Sequence, residues 1–152
     1  MLETVQRYRA LARESQRIFW RAVILLPMVR ASLRLRGYNQ TFATLQKRLT
    51  STAAQQSESR EVVQKTSRMV RAALRHSLIK YTCLEESLTL WYLLQKQGVS
   101  TQLRIGVRKT GGKFEAHAWV EYESVALNQP DEIHKHYAAF DKEFSGPRAE
   151  QP

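Results

Sequence analysis

The spacing of apolar positions changes once along this chain. Through the first two thirds they recur at three- and four-residue steps, the signature of one face of a helix. From Leu103 onward they alternate with polar residues, the signature of a strand with one buried side. Leu2, Val5, Tyr8 and Leu11 form a stripe on a charged helix, and Ile18, Phe19, Ala22, Val23, Leu25 and Leu26 continue it in more apolar form. Pro27 predicts a kink or break, because it lacks the N–H its turn needs and crowds the turn before it. The helical pattern resumes from Met28 to Leu35 and stops at Gly37. Thr41 is then placed to cap a short helix with Leu45 and Leu49 inside. Residues 51–59 (STAAQQSES) read as a loop. Val62, Val63, Met69, Val70, Ala73 and Leu74 predict a further helix that ends near His76, whose place in the last turn suits the helix dipole and a structural role.

Thr82 followed three residues later by Glu85 is the pattern of a capping box. Leu84, Leu88, Trp91 and Leu94 then carry one apolar face, and Gly98 stands where helices often end in a left-handed residue. Beyond it, Leu103, Ile105 and Val107 predict one strand; Phe114, Ala116, Ala118, Val120 and Tyr122 predict a second, antiparallel to the first across the Thr110-Gly111-Gly112 turn. A third strand is expected from Val125 to Leu127, and a fourth from Tyr137 to Phe140. Helices followed by an antiparallel sheet define an α+β fold. The expected organisation is a helical region over residues 1–50 and a core over residues 60–145, packed as one compact domain.

Composition narrows the function classes. Cys83 is the only cysteine, which excludes an internal disulfide framework and a cysteine-rich zinc site and fits a reducing cytoplasm. No signal peptide is expected from the polar N-terminal residues, and the most apolar run, Ala22 to Val29, is far short of the roughly 20 residues a membrane-spanning helix needs. A net charge of +10 suits an acidic peptide or protein, nucleic acid, or an anionic membrane surface. The run of arginines from Arg7 to Arg75 is scattered, without interleaved stacking aromatics, so no nucleic-acid partner is expected.

The candidate chemistry centres on Cys83, at the first helical position after the Thr82 cap. There the unpaired N–H groups and the positive end of the dipole favour a thiolate. His117 lies 34 residues later on the second strand, on the side that also carries Trp119. A cysteine at a helix start with a histidine on a following sheet is an arrangement of thiol hydrolases. A third group should orient the imidazole, and the strand after the turn offers Asn128, Gln129 and Asp131. A three-residue loop would set Gln129 opposite His117; a two-residue loop would set Asn128 opposite Trp119, diagonal to His117. Trp119 is either sheet packing or a wall of a substrate cleft, whereas Trp20 and Trp91 are expected in the core. His134 and His136, near Asp131 and Glu132, match no standard zinc spacing, and nothing in the sequence calls for a metal or cofactor.

The segments CLEESLTLWYLLQKQGV, LRIGVRK and FEAHAWVEYESVALNQPDEIHKHYAAF closely resemble the transglutaminase-like cysteine proteases of bacterial lasso-peptide biosynthesis, over about residues 60–141. The resemblance implies a papain/transglutaminase-like fold and cleavage of the leader peptide from a ribosomally made precursor, before an ATP-dependent macrocyclase closes the ring. It implies Cys83 as nucleophile and His117 as general base and acid. The family's aspartate aligns with Gln129, which could fix the imidazole's tautomer but not stabilise its charge. It further implies a threonine next to last in the leader, and a separate leader-recognition protein. With helices rather than a winged, strand-rich fold in its first 50 residues, the chain is expected to be the free-standing peptidase of a split system. Two alternatives accompany this reading: an acyl transferase on the same scaffold, and a non-catalytic module that docks an acidic leader on its basic helices.

Overall fold

The computed structural model describes residues 2–50, 60–128 and 138–139. Three helices precede a four-stranded sheet: α1 (Leu2–Thr50), α2 (Arg60–His76), α3 (Cys83–Lys96), β1 (Gln102–Thr110), β2 (Lys113–Tyr122), β3 (Val125–Ala126) and β4 (Ala138–Ala139). The expected α+β fold is present. The sheet order is β3-β2-β1-β4, every pairing antiparallel.

Pro27 does not end α1. It lies on the exposed side of the helix, so the missing hydrogen bond falls where water can replace it. The break comes at Gly37, whose φ of 78° and ψ of 177° are open to glycine and strained for other residues. Thr41 caps nothing. It is buried, and its hydroxyl donates to the Gly37 carbonyl at 2.8 Å and pairs with Ser32 Oγ at 2.8 Å, tying the helical segments on either side of the kink together. The predicted loop over residues 51–59 lies outside the described residues.

α3 is the central element. Sequence periodicity gives it one apolar face, yet all eight residues from Ser87 to Leu94 are buried. α1 and α2 cover it on one side and the sheet on the other, with Ala22, Leu26 and Val29 of α1, Val63, Val70 and Ala73 of α2, and Val120 of β2 joining it in one hydrophobic cluster. A helix enclosed on all sides must be apolar all round, and its polar residues must be satisfied internally. Thr89 accordingly donates to the Glu85 carbonyl at 2.8 Å.

Both ends of α3 are fixed. Thr82 Oγ1 accepts from Glu85 N at 3.3 Å while Glu85 Oε2 accepts from Thr82 N at 2.7 Å, completing the capping box. At the other end Val99 N donates to Leu94 O at 3.1 Å and Gly98 N to Gln95 O at 3.0 Å, with Gly98 at φ 80°. These are the two bonds of a Schellman motif, and the accompanying apolar contact is between Leu94 and Val99, neither of which is exposed.

The β1–β2 hairpin turns through Gly111 and Gly112, at φ 58° and 79°. Its outer end is exposed, Phe114 included, whereas Ala118, Trp119, Val120 and Glu121 are all buried. Both faces of β2 are therefore covered along that stretch, beyond the single face its alternation predicts. Trp91 is in the core, as expected. Trp20 is not: it is 60% exposed, because it sits about half a turn round α1 from the buried Ile18 and Ala22. No helix among the described residues is long and apolar enough to cross a membrane.

Candidate functional site

Cys83 is the first residue of α3 and is half-buried. The capping box uses the Glu85 N–H, and the first backbone helical bond belongs to Glu86 N, which donates to Thr82 O at 3.0 Å. The N–H groups of Cys83 and Leu84 are left without a partner among the described residues. A helix start with two open donors beside a thiol is equipped to hold an oxyanion formed there.

The segment entering α3 is held from α1. Arg30 Nη1 donates to Lys80 O at 2.7 Å and lies 3.6 Å from Glu85 Oε2, with its guanidinium over the Tyr81 ring. One side chain thus grips three residues around the cap. Glu86, one turn on from the cap, is also partly enclosed; burial pushes its carboxyl above the ordinary carboxylate range, and the Arg71 charge opposes that rise.

His117 pairs across the sheet with Gly106. Because the residue directly opposite has no side chain, the imidazole is not crowded from β1. Its ring stacks on Trp119 at 6.4 Å, and its Nε2 is shielded from solvent. Trp119 is fully buried and donates through Nε1 to Glu121 Oε1 at 2.9 Å, while Arg104 Nε donates to Glu121 Oε2 at 3.1 Å. The indole therefore lies beneath the surface, behind His117, rather than in an open cleft. No feature of the sequence marks this Trp119–Glu121–Arg104 set except the spacing of two residues between the indole and the carboxylate.

The helix and the strand are joined by a direct bond: Ser87 Oγ donates to Ala118 O at 3.0 Å. Ser87 lies one helical turn after Cys83, and Ala118 directly follows His117. The first turn of α3 thus meets β2 at the stretch that carries the histidine.

The strand register answers one of the two loop alternatives. Tyr122 pairs with Val125 and Glu121 with Ala126, so the turn has two residues, Glu123 and Ser124, both left-handed at φ 48° and 65°. The premise for setting Gln129 opposite His117, a three-residue loop, does not hold, because two successive left-handed residues close the hairpin tightly. Gln129 and Asp131, with Glu132, His134 and His136, lie outside the described residues. Asn128 is half-buried; its Oδ1 accepts from Val120 N at 2.9 Å and its Nδ2 donates to Ser87 Oγ at 2.9 Å. Among the described residues no three histidine, cysteine or acidic side chains are grouped as metal ligands would be.

Residues 25–141 match the transglutaminase-like superfamily, and the chain belongs to it. Members of that superfamily are typically cysteine proteases or acyl transferases. No curated protein and no solved structure matches the chain.

Proposed function

We propose that the protein is a cysteine peptidase that removes the leader from a ribosomally made lasso-peptide precursor. The observation that carries this reading is the Ser87–Ala118 bond, which seats the Cys83 turn of α3 on the strand bearing His117, in a chain of the transglutaminase-like superfamily. In the reaction His117 takes the Cys83 proton and the sulfur attacks the carbonyl carbon of the last leader residue. The Cys83 and Leu84 N–H groups receive the developing oxyanion. The C–N bond then breaks, His117 returns the proton to the departing amine of the core peptide, and water hydrolyses the thioester to release the leader as a carboxylate while the thiol is regenerated. No cofactor takes part. The product passes to a separate ATP-dependent macrocyclase.

A leader-recognition protein delivers the substrate in this scheme. Arg13, Arg17 and Arg21 follow one another at four-residue steps along α1, beside a second ridge of Gln16, Trp20 and Ile24, and together they line a shallow surface depression. None of the three arginines has an ion-pair partner among the described residues, and Trp20 and Ile24 are each 60% exposed. That combination suits an acidic, partly apolar partner surface. Arg30, which lies further along the same helix, is committed to Lys80 and Glu85 and takes no part in it.

The test is cleavage of a synthetic lasso precursor with threonine next to last in its leader, in the presence of a leader-recognition protein, followed by mass spectrometry. The expected products are an intact leader with a free carboxylate and an intact core, absent with Cys83→Ala and with His117→Ala. Cleavage that persists in Cys83→Ala refutes the peptidase reading. Transfer of the leader to an added primary amine, in place of hydrolysis, would assign the protein to the acyl transferases of the superfamily.

A further inference from the structure

β3 ends at Ala126, and Leu127 N still donates to Val120 O at 2.9 Å. From there two side chains, those of Asn128 and Ser87, carry the bonding on. Val120 N donates to Asn128 Oδ1 at 2.9 Å, Asn128 Nδ2 donates to Ser87 Oγ at 2.9 Å, and Ser87 Oγ donates to Ala118 O at 3.0 Å. The bonds form a ring that leaves β2 at Val120, crosses to α3 and returns to β2 at Ala118. Every donor points the same way round it, and such chains reinforce each other where water is excluded. Ser87 is fully buried, and its single proton is spent on Ala118 while it accepts from Asn128. Removing either side chain therefore breaks two links of the ring.

We propose that Ser87 and Asn128 are positioning residues for the Cys83–His117 pair, acting through backbone rather than on the imidazole. The ring grips α3 one turn after the thiol and grips β2 one residue after the histidine, so it sets the distance between the two reacting side chains. Asn128 has its carbonyl oxygen on Val120 and its amide on Ser87, and its influence on His117 passes along the strand. This inference rests on the reading of Cys83 and His117 as nucleophile and base. Displacement of a reacting group by an ångström costs a site of this kind about a hundredfold in rate.

The test needs no peptide substrate: the rate of Cys83 alkylation by iodoacetamide in the full-length protein, with circular dichroism to verify folding. The variants are Ser87→Ala, Asn128→Asp and His117→Ala. Asn128→Asp keeps the size of the side chain and an oxygen for Val120 N but has no donor for Ser87. Alkylation slowed by about tenfold or more in Ser87→Ala and Asn128→Asp, alongside a similar slowing in His117→Ala, is the expected result. The double variant Ser87→Ala/Asn128→Asp should be no slower than the slower of its two single variants, because the ring fails as a unit. Mere loosening of the fold would expose the thiol and speed alkylation, the opposite direction. Slowing by His117→Ala alone overturns the positioning role and leaves the catalytic pair intact. Indifference of Cys83 to His117→Ala overturns the pair and the positioning role together. Faster alkylation in Ser87→Ala and Asn128→Asp assigns the ring to stability alone and also overturns the proposal.

Discussion

Arg30 reaches Glu85 at 3.6 Å, from the middle of α1 to the first turn of α3, and meets a carboxylate that is almost fully enclosed. The same carboxylate closes the capping box, so the acid that starts α3 depends on a cation 55 residues earlier in the chain.

Replacing Arg30 leaves that carboxylate without its charge partner and frees the Lys80 carbonyl. A hydrogen bond to a charged group contributes about 1.5–3 kcal/mol, so Arg30→Ala should lower Tm by about 5 °C in a chain of this size. Amide hydrogen exchange at Cys83 to Glu86 should accelerate more than exchange in α2. Arg30→Lys should recover only part of the loss, since an ammonium lacks the planar guanidinium that lies over the Tyr81 ring. Unchanged exchange at the first turn of α3 would show that the cap stands without Arg30.

Glu86 gives the fold a pH dependence of definite sign. Its carboxyl binds a proton more readily in the folded chain than in the unfolded one, because burial disfavours the charge. The stabilisation linked to that proton is complete below the unfolded value of about 4.3 and is lost as pH rises through the raised folded value. Glu86→Gln should therefore raise Tm at neutral pH and reduce the stability that this group adds on mild acidification. Thermal melts of the two proteins across that range decide it; parallel curves would show that Glu86 is not the group responsible.

On the peptidase reading proposed above, the arginine ridge on α1 should matter only when a leader-recognition protein is present. Arg17→Glu/Arg21→Glu should raise the concentration of that protein needed for half-maximal cleavage by about tenfold, through slower encounter. The iodoacetamide rate at Cys83 should not move. Equal dependence on the recognition protein in wild type and variant would place the docking face elsewhere.

Local chemistry made much of this fold legible. The capping box, the left-handed Gly98 and the Gly111-Gly112 turn each rest on residues a few positions apart, and the period of the apolar residues separates helices from strands. What stayed hidden depends on partners distant in sequence. Arg30 looks like any surface arginine until α1 is laid against the loop before α3. Gln129 could be set opposite the imidazole only while the turn length was open; the two left-handed residues at Glu123 and Ser124 are neither glycine nor asparagine and give little warning of a tight hairpin. Trp20 is exposed where the core is expected, although its angular position on α1 already sets it apart from Ile18 and Ala22.

Enclosure of α3 along eight consecutive residues has a consequence for the order in which the protein acquires its shape. The helix is covered by α1 and α2, which are synthesised before it, and by the β1–β2 hairpin, which is synthesised after it. When α3 leaves the ribosome it can pack on one side only, and the surface that receives the sheet stays open until β2 follows. Because chains grow by about 5–20 residues per second, that interval lasts seconds. The strand that covers α3 is also the one that carries His117, so the same event that buries the apolar body of the helix seats that strand on the turn after Cys83.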